Sequence, residues 1–137
     1  MARSVREIDR NDDKYVGIKF PLSYGLNGFF YQSKTVKEQS KSNLRNLLLT
    51  TPGERVMQPT FGCRLKDLLF GQLTSNIGDA IDSTIREATA KQLPYIKLEE
   101  ILSESNDNKI NIQITYSTTF DPNALDSLIL NFQIGDL

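Results

Sequence analysis

No histidine occurs in the 137 residues, and Cys63 is the single cysteine. The first absence removes the side chain that titrates near neutral pH and the commonest metal ligand. The second excludes an intramolecular disulfide and any zinc cluster of Cys/His type. No glycine-rich phosphate loop of Walker or Rossmann spacing is present. With these gone, most reaction classes lose their machinery, and neither a cofactor nor a metal is expected. No apolar run approaches the roughly 18 residues of a membrane span. The N-terminal stretch MARSVREIDRNDDK lacks the apolar core of a signal peptide. These features read as a chain that neither spans a membrane nor leaves by the Sec route, and that folds in a reducing cytoplasm. A formal net charge of -1 gives no electrostatic reason to bind nucleic acid or an anionic membrane.

What is present is an ordinary globular composition, long enough for one core and too short for two. The expected organisation is an N-terminal arm with an anchoring loop (residues 1–34) followed by one α+β domain (residues 35–137). The arm is polar and of mixed charge, with Val5 and Ile8 as its large apolar side chains. Alone it cannot offset its ordering entropy, so it is either a flexible tail or a segment that orders on a partner. Val16, Ile18 and Phe20 alternate with Gly17 and Lys19 and suit a short strand ended by Pro21. SYGLNGFFYQ then reads as a loop with apolar anchors.

Thr35 and Glu38 have capping-box spacing and open a helix from about Val36 to Leu49, anchored by Leu44, Leu47 and Leu48. Pro52 and Gly53 stop it. A charged connector, Glu54 and Arg55, leads through a second break at Pro59 to Gly62 into Leu65, Leu68 and Leu69, which share one helical face. A second long helix starts near Thr74 to Asn76 and ends by Gln92, before Pro94. Its buried stripe is Ile77, Ile81, Ile85 and Ala88, within an arc of roughly 80 degrees. Asp82 with Arg86, and Glu87 with Lys91, are spaced as solvent-side ion pairs. Strands follow. Ile96, Leu98 and Ile101 begin one, although LEEIL also fits a helical turn; SESNDNK is a polar turn. Lys109 to Phe120 alternates cleanly, Asp121, Pro122 and Asn123 form a loop, and Leu128, Leu130, Phe132 and Ile134 lie on a last strand. The fold class is α+β: two main helices packed on a small antiparallel sheet of about three strands, with an extended N-terminal arm.

The functional weight falls on surfaces. Glu54 and Arg55 are either a local ion pair bracing the connector or a contact for a partner chain. Phe61 and Gly62 read as structural, a core anchor and a turn. A small open sheet leaves at least one edge strand with unpaired backbone groups, which a strand of another chain can cover. Gln113 and Asn131 mark the two strands where that edge is sought.

The succession NLRNLLLT, PGER, QPTFG and LKDLLF resembles the short baseplate wedge protein family of contractile-tailed bacteriophages, which is related in turn to a baseplate component of type VI secretion systems. The resemblance is densest from Gly17 to Phe70 and continues more loosely to about Phe132. It implies a structural protein of the virion tail baseplate, present in multiple copies in a symmetric assembly, with other wedge proteins and the tail sheath subunit as partners. The family resembles the strand-exchanging domain of the sheath subunit, which implies a role in seeding sheath assembly. Many members carry a Glu-Pro-Arg tripeptide after the long helix that the resemblance implies holds neighbouring wedge components. Here Leu93, Pro94 and Tyr95 stand at the matching positions, so the proline is kept and both charges are lost. Relatives labelled lysozyme-like keep a glycosidase as the alternative, with Glu54 as acid and Asp67, Asp79 or Glu87 as second carboxylate. Among 17 acidic residues such pairs arise by chance.

Overall fold

A computed structural model of the protein describes residues 16–20, 22–25, 30–71 and 75–133. The expectations for the arm, for Pro21 and for Ile134 fall outside the described residues. The chain divides into two compact units, Met1–Asn46 and Leu47–Leu137.

In the first unit, β1 (Gly17–Ile18) pairs antiparallel with β2 (Gln32–Ser33). The N–H of Val16 donates to Ser33 O at 2.8 Å and that of Lys19 to Tyr31 O at 2.9 Å, extending the ribbon by one bond on each side. Among the described residues the expected aromatic anchors Tyr24, Phe30 and Tyr31 are not buried: Tyr24 is 84% exposed, and its ring stacks on that of Phe30 with centroids 6.3 Å apart.

Helix α1 (Val36–Leu49) starts where the capping spacing placed it. Glu38 N–H donates to Thr35 Oγ1 at 3.2 Å, and the Glu38 carboxylate reaches back to the N–H of Lys34, one residue before the expected partner. Leu44, Leu47 and Leu48 are fully buried while Lys37, Glu38 and Lys41 are exposed, so burial follows the leucine-rich half.

In the second unit, α2 (Leu65–Leu69) buries Leu65 and Leu69 and packs on α3 (Ile77–Gln92). Ile81 and Ile85 of α3 are buried, joined by Thr89, one position on from the expected Ala88. Asn76 makes no side-chain cap. Pro94 ends the helix as expected, with Leu93 at φ -129. The Arg86 to Asp82 pair forms at 3.0 Å, and Arg86 also donates from Nη1 to Leu98 O at 3.3 Å. Glu87 and Lys91 do not pair; both turn into a groove described below.

The C-terminal residues form a meander in the order β3-β4-β5, antiparallel throughout: β3 (Ile96–Asn106), β4 (Lys109–Thr118) and β5 (Asp121–Gln133). Helix α3 packs against β3. Ile110, Ile112, Ile114 and Tyr116 of β4 and Leu128 and Leu130 of β5 form the buried face. LEEIL is strand rather than helix, with a bulge between Leu98 and Glu100. The expected polar turn contracts to two residues, and the expected loop at Asp121, Pro122 and Asn123 is instead the start of β5, its turn lying two residues earlier at the end of the expected strand. The first is Asp107 and Asn108, where Asp107 takes the positive φ of 32° that a primed hairpin turn requires and that Asp tolerates. The second is Thr119 and Phe120. Polar sequence misled at both places because hydrophilic residues sit as well on the solvent face of a strand as in a loop. Pro122 is accommodated within β5 because no β4 residue pairs with it.

Candidate functional site

The connector between α1 and α2 is stitched rather than slack. The N–H of Gly53 donates to Pro59 O at 2.9 Å, that of Glu54 to Thr51 O at 3.1 Å, and that of Phe61 to Gln58 O at 3.1 Å. At its base Cys63 N–H donates to Thr50 O at 2.8 Å, and Gln92 of α3 donates from Nε2 to Thr60 O at 3.3 Å. Among the described residues no ion pair joins Glu54 to Arg55. The Arg55 guanidinium instead lies 4.2 Å from the centroid of the Phe61 ring, a cation–π contact worth about 0.5–1 kcal/mol at an exposed site. Phe61 is thus half-buried under an arginine rather than anchored in the core, and Glu54 stands exposed without its expected mate. Sequence reasoning missed the residues between: Val56 is 93% and Met57 91% exposed, an apolar pair at the apex of a closed loop.

The second location is the corner after α3. Leu93 is buried, Pro94 exposed and Tyr95 half-buried, with Tyr95 O accepting from Thr119 N–H at 2.9 Å. This bond brings the β4–β5 turn against the corner, where the rings of Tyr95 and Phe120 meet at 6.0 Å. Phe120, read from the sequence as the end of a strand, is half exposed in the turn. Nearby, the hydroxyl of Tyr116 donates to Asp126 Oδ2 at 3.3 Å. Burial, and then the negative charge of Asp126, push the Tyr116 phenol above its ordinary range.

The third location is the sheet. Asn106 and Lys109 flank a two-residue turn and pair with each other, and residues so placed exchange both backbone bonds. Alternation then points the backbone groups of Lys109, Asn111 and Gln113 at β3, and those of Ile110, Ile112 and Ile114 at β5. In the β4–β5 register Ile112 faces Leu130 and Ile114 faces Leu128, so Ser127, Ile129, Asn131 and Gln133 turn their N–H and C=O groups to the free edge. Gln113 therefore lies on the central strand, its N–H committed to β3, and cannot serve as an edge. Asn131 lies on an edge strand with its backbone outward. Their side chains share the exposed sheet face, around a depression of about 220 Å³ with Leu102 and Ile129.

A groove of about 420 Å³ lies between the connector and α3. Of the four carboxylates weighed for glycoside hydrolysis it takes in Glu87 alone; Glu54, Asp67 and Asp79 do not line it, and neither does any aromatic ring. Cys63, at its floor, is 2% exposed, and burial pushes its thiol upward, with Glu87 adding to the effect against a backbone hydrogen bond at Leu65. The residues singled out are thus spread over three surfaces.

These features define an α+β domain with a helix pair, a three-stranded meander and its singled-out polar and aromatic residues on the outside. A profile of the baseplate wedge protein gp25 family matches residues 34–123, and the chain belongs to that family, the baseplate wedge proteins of contractile tails. It is 28% identical over 92 residues to baseplate wedge protein gp25 of Enterobacteria phage T4, covering 66% of this chain and 70% of that protein. Its structure is similar to a putative tail lysozyme from Geobacter sulfurreducens, with TM-score 0.66, 26% identity, and 74% and 94% of the two chains covered. It also shares its fold with a chain of the anti-feeding prophage baseplate, with TM-score 0.56, 20% identity, and 86% and 84% covered. A chain of the postcontracted pyocin R2 baseplate gives TM-score 0.50, 15% identity, and 83% and 99% covered. The matched range contains Glu54, Arg55, Leu93, Pro94, Tyr95 and Gln113 and stops short of Asn131.

Proposed function

We propose that this baseplate wedge protein is a non-catalytic joint, holding neighbouring wedge proteins through its connector and Pro94 corner and seeding the tail sheath by adding a sheath strand to β5. The observation that carries the reading is the contrast between the two sheet edges. Strand β3 is blunted in the ways that natural edges are protected: a bulge, and charges at Lys97, Glu99, Glu100 and Glu104. Strand β5 has none of this protection from Ser127 to Gln133. That stretch, SLILNFQ, is regular in register and free of charge, proline and glycine, which is a hazard unless another strand covers it. Main-chain pairing would supply adhesion, while alternate side chains set register. The N-terminal arm, residues 1–14, is proposed to order on a wedge partner.

Asn131→Pro tests this directly, because it deletes an outward N–H that the isolated domain does not use. The variant should stay folded and fail to nucleate sheath on assembled baseplates, whereas Gln113→Pro should unfold the sheet. Normal nucleation by folded Asn131→Pro would sink the strand-addition reading. The lysozyme name of one similar structure makes cell-wall turnover the competing activity; purified protein incubated with peptidoglycan should release no soluble fragments. Release that disappears in Glu54→Gln would replace the structural reading with a catalytic one.

A further inference from the structure

The free edge of β5 has a closed end. Ser127 turns its N–H outward, yet Asp126 Oδ1 accepts that N–H at 2.9 Å, so the first donor of the row is occupied before any partner arrives. The carboxylate is held from its other oxygen, where the Tyr116 hydroxyl donates to Oδ2 at 3.3 Å. Tyr116 is buried and stands opposite Asp126 in the β4–β5 register, so a core side chain fixes the orientation of a group at the sheet margin. The strand changes character at the same point: residues 122–125 have no partner on β4, and regular pairing resumes at Asp126. Further along, among the described residues, no side chain takes the N–H of Ile129, Asn131 or Gln133. An added strand needs a register as well as adhesion. Slipping by one residue turns every side chain to the wrong face, and the alternation of β5 excludes it; slipping by two preserves the faces. The stretch SLILNFQ does little to forbid the second slip, since Leu128, Leu130 and Phe132 on its core side are all large and apolar.

We infer that Asp126 is the register stop of the strand-addition site: it closes the edge at Ser127, so that the incoming strand of the partner chain pairs with Ile129, Asn131 and Gln133. A strand slipped by two residues toward the start of β5 would aim a carbonyl oxygen at an N–H already taken, and would bring that oxygen against the carboxylate that takes it. The slipped strand thus forfeits a hydrogen bond and meets charge of its own sign, which disfavours it by about tenfold or more. Asp126 is a positioning residue here, acting through the backbone of Ser127, and Tyr116 acts through Asp126. This inference rests on the proposed addition of a sheath strand to β5, and it adds to that reading where the strand must start.

The test uses assembled baseplates carrying the full chain, to which the sheath subunit of the same particle is added. Asn131→Cys is combined with single cysteines scanned along the sheath chain, and disulfide capture reads which sheath residue stands beside position 131; Cys63 is buried and stays out of the exchange. With Asp126 intact, one sheath position should be captured about tenfold better than the position two residues away. Asp126→Ala should keep the fold, checked by circular dichroism, and bring the two positions within about threefold of each other. Asp126→Asn, whose amide oxygen can still accept from Ser127, should retain the single position. A single position kept by folded Asp126→Ala, or slippage in Asp126→Asn equal to that in Asp126→Ala, would overturn the inference. Site-resolved hydrogen exchange on the parent gives a second reading without any substitution at the stop. On sheath addition the amides of Ile129, Asn131 and Gln133 should slow by about tenfold or more, and that of Ser127, already bonded, should barely change. Comparable slowing at Ser127 would equally overturn the inference, whereas protection at none of the four would remove the strand-addition reading beneath it.

Discussion

Gly62→Ala is expected to cost about 5 kcal/mol, all of it from one added methyl group. The glycine has φ +132, a region in which side-chain-bearing residues incur about 1–3 kcal/mol. A Cβ there would meet Thr50 O at 2.6 Å, Pro52 N at 2.9 Å and Thr51 C at 3.0 Å. All three are backbone atoms at the end of α1, so relief requires moving the chain, with an overpacking cost of about 1–3 kcal/mol. The displacement also strains the bond from Cys63 N–H to Thr50 O, 2.8 Å long, whose loss costs about 1 kcal/mol. Gly53→Ala is the internal control. Its φ of +96 carries a similar backbone cost, but nothing lies within 4 Å of the new Cβ. Urea unfolding followed by circular dichroism should place Gly62→Ala at least 2 kcal/mol below Gly53→Ala, using the ordinary m-value as the check that both unfold alike. Against a total stability of about 5–15 kcal/mol, the Gly62 variant should be near its folding limit at 37 °C. Equal losses in the two variants would refute the crowding argument and leave only the φ cost.

Tyr116→Phe should lose about 1 kcal/mol at neutral pH by removing the phenol hydrogen bond to the Asp126 carboxylate, which keeps the N–H of Ser127 as a donor. Because the folded-state phenol is raised above its unfolded value, its contribution is intact below about pH 10 and declines as pH climbs past that. Alkaline unfolding curves should therefore fall less steeply for Tyr116→Phe than for the parent. At the corner, Tyr95→Ala and Phe120→Ala should each weaken association with a wedge partner while lowering the melting temperature by no more than a few degrees; joint loss of folding and binding would make the pair core residues. Cys63 should react with a disulfide reagent far more slowly in native protein than in urea, since burial both hides the sulfur and disfavours the thiolate.

The helices were legible because their signals are local: a cap at Thr35, a stop at Pro52, another at Pro94, and isoleucines repeating along one face. The alternation of β4 was equally plain. The turns were not, since Asn, Asp and Ser serve a strand's wet face as well as a loop, and only pairing partners decide between them. Which strand forms the edge is a question of order, and no residue spacing encodes it. The surface residues divided in the same way. Glu54 and Arg55 stood out as charges, but the ring that engages Arg55 lies six positions on and returns to it only through the fold. Val56 and Met57 carried no pattern at all, because exposure of an apolar side chain is invisible until the loop around it closes. Phe120 became notable when the Thr119 to Tyr95 bond brought two distant corners together.

The meander has a kinetic consequence. Each strand pairs with its neighbour in sequence across a two-residue turn, so the sheet assembles by short loop closures that cost little entropy. Sheets of low contact order form in milliseconds or faster, well ahead of those that must bring remote segments together. For a chain whose β5 edge is uncharged and regular, that speed matters: the time during which β4 and β5 are both unpaired, and open to the wrong neighbours at high synthesis rates, is kept short. Splitting the chain at the Thr119–Phe120 turn would lengthen that interval, and the split protein should aggregate during refolding at concentrations the parent tolerates.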